Sequence, residues 1–155
     1  MKSPTQAGSA TVLEATRELA ERYSAAWNDH DLEALMSMHT PDTVFELHQS
    51  GVDAAVGHEA VRQMFDFLIR AWPDQRFETK RLTVREDFYV SEWVLTATLA
   101  LPWRIGDSVA VPNGEQISVP GVDIMTCENG KIKLKSCWLD VLAMQQQLEL
   151  STSTS

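Results

Sequence analysis

The chain has 155 residues, of which 44 % are hydrophobic and 23 % charged, and its formal net charge is −9. This length fits one domain that can bury a sizeable core, and the composition is that of an ordinary globular protein. A nucleic-acid partner is not expected, because phosphate backbones require a basic face and none is visible.

Cellular context follows from three further features of the sequence. No apolar run reaches membrane-spanning length, and residues 1–4 lack the apolar core of a secretory signal. Cys127 and Cys137 fall on successive predicted strands and are expected to be reduced core thiols. A CxxC motif and His-Cys clustering are both missing, so no metal site is predicted. We therefore expect a cytoplasmic protein without a membrane partner.

The first half of the chain is predicted to be mainly helical. Apolar residues at helical spacing predict a long amphipathic helix over residues 12–28. Asp31 is the predicted N-cap of a short second helix that ends at Met38. The remaining predictions in this half are a strand at 43–48, a loop at 51–57 and a third helix from His58 to Trp72, stopped by Pro73.

The second half is predicted to be mainly strands. They are expected at 76–87, 89–101, 115–127 and 131–140, with a loop at 106–114 and a return to helix at 141–149. Helices followed by an antiparallel meander predict an α+β fold with the helices packed on one face of the sheet. Residues 1–9 and 150–155 are predicted to be disordered tails, which leaves a single domain over residues 10–149.

The most informative segment is residues 121–132, which predicts a β-hairpin with an Asn-Gly turn. Strand alternation puts Asp123 on one face with Met125, among apolar neighbours. Such a carboxylate is either a buried structural acceptor or a proton-transfer group. In the second case desolvation raises the pKa of Asp123 and makes it a general acid or base, whereas a close Lys135 favours its ionised form.

The type of turn decides what lies opposite Asp123. A two-residue turn places it opposite Ser136. A three-residue turn with a bulge at the glycine places it opposite Lys135, with Cys137 on the same face. The residues of the hairpin alone leave both registers open.

Four short motifs carry a resemblance to a known family. They are residues 26–35 (AWNDHDLEAL), 40–45 (TPDTVF), 57–61 (GHEAV) and 119–132, which begins VPGVD and ends ENGKI. In this order the chain resembles the SnoaL-like polyketide cyclases of the NTF2-like (nuclear transport factor 2) superfamily over about residues 12–149. The resemblance implies a curved sheet around a cone-shaped cavity closed by helices. Family members include cyclases, dehydratases, isomerases, epoxide hydrolases and non-catalytic binders, so the fold leaves the reaction open.

The resemblance also bears on individual residues. In cyclases of this type a histidine on the strand before the hairpin turn and an aspartate on the strand after it form the acid-base site. Counted from the turn, these two positions fall on Asp123 and Cys137. The resemblance thus implies an acid-base position for Asp123 and favours the bulged register, while the second carboxylate of the family is absent.

Two further groups are candidates for the chemistry. His48 ends a predicted strand and is expected near the cavity mouth as a partner acid or base, or else as an exposed strand-end histidine. Glu46 shares the face of His48. Tyr23 and Trp27 lie one helical turn apart, so Tyr23 either donates a hydrogen bond to a substrate carbonyl or belongs to the core. Other predicted cavity-wall residues are Phe65, Trp93, Trp103, Cys137 and Trp138.

The leading functional prediction is an acid-base enzyme without a cofactor. The sequence has no nucleotide-binding glycine motif and no nucleophile elbow, which leaves proton transfer. We expect a cyclase or isomerase acting on a hydrophobic polyketide-, steroid- or terpenoid-like molecule, with Asp123 as the acid or base. The alternatives are a non-catalytic small-molecule binder, or an epoxide hydrolase or dehydratase on the same scaffold. The resemblance also implies a homodimer, because sheets of this superfamily often pair back to back.

Overall fold

The computed structural model describes residues 4–149 of the chain. Its helices are α1 (Pro4–Asn28), α2 (Leu32–Ser37), α3 (His58–Ala71) and α4 (Val141–Gln147). Its strands are β1 (His39–His48), β2 (Ala55–Val56), β3 (Arg76–Val84), β4 (Phe88–Thr98), β5 (Trp103–Ile105), β6 (Ser108–Ala110), β7 (Gln116–Glu128) and β8 (Lys131–Leu139).

Helix α1 begins at Pro4 rather than at the predicted Val12. Proline is well tolerated at the start of a helix, because its missing N–H would have no intrahelical partner there. Residues 4–9 therefore have helical backbone, where the sequence predicts a tail. The other predicted tail residues, 1–3 and 150–155, lie outside the described residues.

The buried stripe of α1 explains how the helix packs. Thr16, Leu19, Tyr23 and Trp27 recur every three or four residues, and all are buried. This spacing puts them on one face, which packs against the sheet. Helix α3 buries Phe65 in the same way. The core therefore lies between the helices and the inner face of the sheet.

Six strands form one mixed sheet in the order β2-β1-β8-β7-β4-β3. Strand β1 runs parallel to β8, and the other neighbouring strands are antiparallel. A register shift interrupts β1 between His39 and Val44, and another interrupts β3. Such irregularities bend strands, so they help to curve the sheet around the helices.

Some predicted boundaries differ from the structure. Strand β1 begins at His39 rather than Thr43, and the predicted loops at 51–57 and 106–114 each contain a short strand. Strands β5 and β6 form a separate two-stranded sheet beside the main one. None of the helices within residues 4–149 has the length and apolar character needed to cross a membrane.

The β7–β8 hairpin has a two-residue turn followed by a bulge. Asn129 and Gly130 both have positive φ, 51° and 76°, as a type I′ turn requires. The pairing then shifts by one residue, because Thr126 pairs with Leu134 after Cys127 has paired with Ile132. The extra residue lies on β8, between the two partners just named, and it forms a β-bulge.

This bulge sets the neighbours of Asp123. Asp123 lies directly opposite Cys137, so both predicted registers, with Ser136 or Lys135 opposite, are wrong. The bulge had been expected at the turn and instead lies within β8. The predicted sharing of one face by Asp123, Lys135 and Cys137 is correct, because these residues line the same cavity.

Candidate active site

A mostly apolar cavity lies between the helices and the inner face of the sheet. The centre of a water molecule can move through about 60 Å³ of it. The walls are aromatic on several sides, from Trp27 on α1, Phe77 on β3, Trp93 on β4 and Trp103 on β5. Met144 of α4 closes part of the boundary. One water needs about 10–15 Å³ of such space, so the cavity has room for several waters or for one small molecule.

A smaller pocket lies beside the main cavity. It offers about 30 Å³ by the same measure, and Tyr23 and Tyr89 are among its lining residues. Asp123 and Lys135 line both spaces. The two charged side chains therefore stand at the boundary between the cavity and the smaller pocket.

Asp123 and Lys135 form a buried ion pair. Lys135 Nζ donates a hydrogen bond to Asp123 Oδ2 at 2.9 Å, and the residues are only 5 % and 9 % exposed. The ammonium also lies 5.0 Å from the ring centre of Tyr23 and 5.4 Å from that of Trp27, within the range of cation–π attraction. Asp123 Oδ1 is buried and has no hydrogen-bond partner among the described residues. One carboxylate oxygen of the pair is thus free to accept a proton.

The electrostatics keep the lysine charged and the cysteine neutral. Burial favours the neutral amine of Lys135, but the combined effects of Asp123, Tyr23 and Cys137 outweigh burial and hold the pKa of Lys135 above its ordinary value. Burial, with the nearby charge of Asp123, raises the pKa of the Cys137 thiol well above its usual range. Cys137 is therefore a thiol in the cavity wall and is poorly suited to act as a nucleophile.

Tyr23 belongs to a buried hydrogen-bonded chain. Its hydroxyl is hydrogen-bonded to His39 Nε2 at 3.0 Å, and His39 Nδ1 is hydrogen-bonded to Thr43 Oγ1 at 2.8 Å. Burial, followed by the charges of Lys135 and His58, lowers the pKa of His39 to about 3. Burial raises the pKa of Tyr23 to about 12, against the opposing effect of Lys135. At neutral pH the imidazole is uncharged and the phenol is protonated.

The structure brings most of the predicted site residues together. Asp123, Cys137, Trp27, Trp93 and Trp103 all line the main cavity, and Tyr23 lines the adjoining pocket.

Phe65 lies one layer behind the wall. Its ring centre is 4.8 Å from that of Trp27, and the side chain is fully buried. Phe65 therefore supports the wall without lining the cavity.

His48 and Trp138 lie on the opposite face of the sheet from Asp123. Leu47 and Cys137 line the cavity, so the next residue on each strand points away from it. The rings of His48 and Trp138 stack there with their centres 3.5 Å apart. Alternation along β1 and β8 directs both side chains outward. The structure therefore does not place His48 at the cavity mouth, as one of its two interpretations predicted, and it does not place Trp138 in the cavity wall.

The contacts of His48 on the outer face are polar as well as aromatic. His48 Nε2 is hydrogen-bonded to Ser136 Oγ at 2.9 Å and lies 3.4 Å from a carboxylate oxygen of Glu46. Trp138 Nε1 donates to the same Ser136 Oγ at 3.1 Å. These groups form an external cluster without access to the cavity.

Sequence reasoning missed several residues of the site. The sequence predicts Lys135 on the face of Asp123, but only as a neighbour that favours the ionised carboxylate and not as a member of the site. Gln75, Trp72 and Phe77 also line the cavity. They surround the connection between α3 and β3, where hydrophobic periodicity gives no signal about direction. No group of three or more His, Cys, Asp or Glu side chains within residues 4–149 is placed to hold a metal ion.

An α+β cone with an aromatic cavity and a buried acid at its floor defines a small-molecule-binding scaffold of the NTF2-like type. The SnoaL-like domain family matches residues 20–134, and the chain belongs to that family. Comparison with curated proteins gives no match.

Solved structures share the fold at low sequence identity. A protein assigned as a SnoaL-like polyketide cyclase from Jannaschia sp. CCS1 superposes with a TM-score of 0.78 at 20 % identity, covering 97 % of this chain and 98 % of that one. TsrD from Streptomyces laurentii gives 0.71 at 22 % identity, with coverages of 87 % and 95 %. A phenazine biosynthesis-related protein from Pseudomonas aeruginosa gives 0.75 at 13 % identity, with coverages of 96 % and 94 %.

Proposed function

We propose that the protein is a cofactor-independent acid-base enzyme of the cyclase or isomerase type, acting on a hydrophobic small molecule that carries a carbonyl group. One observation carries the proposal. A buried ion pair with a free carboxylate oxygen, Asp123 Oδ1, lines an aromatic cavity that can hold a ligand. Membership of the SnoaL-like family supports this proposal, since the family that the chain resembles includes cyclases and isomerases.

The two charged groups suit enolisation. Asp123 Oδ1 takes a proton from the carbon next to the substrate carbonyl, and the electron pair of the C–H bond moves toward the carbonyl oxygen. The Lys135 ammonium stabilises the negative charge that develops on that oxygen. Where the enolate is conjugated with a C=C bond, the protonated Asp123 returns the proton to the far carbon of that bond, the double bond shifts, and the ketone re-forms, which gives isomerisation. Alternatively, the enolate carbon attacks a second carbonyl of the same molecule, and the oxygen of that carbonyl takes the proton back from Asp123, which gives cyclisation.

The surroundings favour this chemistry over reactions in open water. Aromatic walls exclude solvent, and electrostatic interactions are stronger in an apolar site than in water. The pKa of Lys135 is held above its ordinary value, which keeps its positive charge available to an oxyanion. The neutral thiol of Cys137 stands where family cyclases carry a carboxylate, so Asp123 is the base of the proposed mechanism.

A non-catalytic binding protein is the second candidate. The absence of a second carboxylate at Cys137 favours it, as does the engagement of one Asp123 oxygen by Lys135. Both candidates use the same cavity and differ in whether a proton leaves the bound molecule.

Deuterium exchange separates the two candidates. Simple cyclic ketones are incubated with the protein in D₂O, and loss of the proton signal next to the carbonyl is followed by NMR. Accelerated exchange is expected for the wild type and is expected to fall at least ~100-fold in Asp123→Asn, because general-base catalysis contributes about 10²–10⁴-fold. His48→Asn, on the outer face, is the control and is expected to keep the wild-type rate. Equal exchange in the wild type and Asp123→Asn contradicts the enzyme proposal.

We also propose that the protein assembles as a homodimer through the outer face of its sheet. Ile124 and Trp138 expose 43 % and 48 % of their surface there, on adjacent strands. Exposed apolar side chains that lie together on one sheet face are a feature of interaction sites. The cytoplasmic location stays a prediction from the sequence.

A further inference from the structure

We infer that the cavity takes a small, uncharged, single-ring ketone that carries a second oxygen able to accept a hydrogen bond. This inference rests on the proposed function, because it names the substrate class for the same cavity. It draws on three properties of the lining, which are its charge balance, its size and its unpartnered donors.

Charge balance excludes a charged ligand. Asp123 and Lys135 are the charged side chains among the described residues that line the cavity, and they pair with each other. A carboxylate or ammonium on the ligand would bring an unbalanced charge into an apolar space. Burying an uncompensated charge costs several kcal/mol or more. An uncharged ligand avoids this cost.

The size of the cavity limits the ligand to about one ring. The walls leave about 60 Å³ for the centre of a water molecule, bounded by the indoles of Trp27, Trp93 and Trp103. The Trp93 indole lies directly on Gly121, where a Cβ atom would clash with its ring. Trp93 therefore lies as close to the strand as it can and cannot retreat to widen the cavity. This narrows the polyketide-, steroid- and terpenoid-like class predicted from the sequence to its smallest members.

Three buried donors of the cavity lining have no acceptor. They are Trp27 Nε1, Gln75 Nε2 and Trp93 Nε1, which have no hydrogen-bond partner among the described residues, and their residues are 5 %, 4 % and 4 % exposed. A buried donor left unpaired costs about 1–3 kcal/mol, so a ligand oxygen that meets one gains affinity.

Gln75 gives the cavity a second polar group that a ligand can contact. Gln75 lines the main cavity, whereas Asp123, Lys135 and Trp93 also border the smaller pocket. Gln75 therefore offers the cavity a polar donor apart from the ion pair. A ketone oxygen accepts a hydrogen bond from Lys135, and a second oxygen of the same molecule accepts one from Gln75.

The test is a binding series with three ketones of similar shape. Cyclohexane-1,4-dione has both oxygens, cyclohexanone lacks the second, and 4-oxocyclohexanecarboxylate adds a charge. Titration followed by tryptophan fluorescence or calorimetry gives their affinities. The dione is expected to bind about tenfold more tightly than cyclohexanone, which is the worth of one hydrogen bond, and the carboxylate is expected to bind more weakly than either.

Variants connect the preference to the proposed donor. Gln75→Leu is expected to remove the advantage of the dione while cyclohexanone binds as before. Gln146→Leu, an exposed glutamine on α4, is the matched control and is expected to keep the preference. Failure of the dione to bind, or tighter binding of the carboxylate, overturns the inference.

The deuterium-exchange result is separate from this one. If the protein prefers the dione but does not accelerate exchange, the inference about the ligand stands and the enzyme proposal fails. If the protein accelerates exchange on charged or multi-ring ketones and shows no preference for the dione, the enzyme proposal stands and the inference about the ligand fails.

Discussion

Two opposite charges, on Asp123 and Lys135, lie next to each other in an interior that is otherwise aromatic and aliphatic. Removing both from water carries a large desolvation cost, which their mutual attraction only partly offsets. Apolar residues at both positions would be expected to give a protein of equal or greater stability. The pair is therefore better explained by chemistry in the cavity than by its contribution to folding.

Two variants test this view of the pair. Asp123→Asn is expected to cost about 3–5 kcal/mol of unfolding free energy, because it leaves the ammonium of Lys135 buried without its counter-charge. Adding Lys135→Met is expected to recover most of that loss, since an apolar side chain suits the cage of Tyr23, Trp27 and Phe45. Urea unfolding measures both variants. An Asp123→Asn variant as stable as the wild type contradicts the argument.

His39 makes the stability of the folded protein depend on pH in the acid range. Its pKa is about 3 in the folded state, against an ordinary value of about 6.5. Between these values the unfolded chain binds a proton that the folded protein does not. Stability is therefore expected to fall as pH is lowered from about 6.5 toward 3, by up to ~1.4 kcal/mol per pH unit from this residue.

The variant His39→Asn isolates this contribution. Asparagine keeps donors and acceptors for Tyr23 and Thr43 but does not titrate. Unfolding free energies measured from pH 7 to pH 4 are expected to fall less steeply in the variant than in the wild type. Equal slopes in the two proteins rule out His39 as a source of the pH dependence.

The β7–β8 hairpin is the element that builds the floor of the cavity. Its type I′ turn and the bulge in β8 place Asp123, Lys135 and Cys137 on the inner face. The same strand β7 supplies Gly121, across which Trp93 lies. One hairpin therefore supplies the charged side chains of the cavity and also determines the position of the Trp93 wall.

Gly121→Ala tests the close approach of Trp93 to β7. The new Cβ would lie in the Trp93 ring and 2.8 Å from the backbone oxygen of Trp138, which cannot easily move. A loss of about 1–3 kcal/mol is expected from overpacking, with weaker ketone binding as the indole shifts into the cavity. Thermal unfolding and the same titrations measure the two effects.

The control is Gly8→Ala in helix α1. A Cβ at Gly8 meets nothing within 4 Å, and alanine is the better helix former. This variant is expected to match or slightly exceed the stability of the wild type. If both glycine variants behave alike, Trp93 does not depend on Gly121.

The outer face of the sheet is the surface proposed for dimerisation. Ile124 and Trp138 project from it, and the Trp138 ring stacks on the ring of His48. A second copy that places the same face against this one would bury these side chains symmetrically, as in most two-fold dimers.

Ile124→Lys is expected to convert the proposed dimer to a monomer. A lysine on each copy would place like charges and unpaired polar groups in the interface. Sedimentation velocity measures the change. Val111→Lys is the control, because Val111 is exposed but lies outside the six-stranded sheet. A wild type that sediments as a monomer contradicts the dimer.

Much of the molecule could be predicted from local pattern. Helical spacing in α1 and α3, the Pro73 stop and the Asn-Gly turn each depend on neighbouring residues, so the α+β order and the hairpin were correct. The position of Asp123 on the inner face of the sheet could also be predicted, because strand alternation has a period of two. The parallel pairing of β1 with β8 joins residues far apart in sequence, and no local pattern contains it.

The sequence by itself determined the α+β class, the SnoaL-like relationship and the apolar setting of Asp123, since each follows from short-range periodicity or from motifs. Only the tertiary structure decided that Cys137 lies opposite Asp123, that Lys135 pairs with it and that His48 faces outward. A single extra residue in β8 shifts the register, and the pairing of β1 with β8 directs His48 away from the cavity. These outcomes depend on contacts between distant segments, which composition and spacing do not encode.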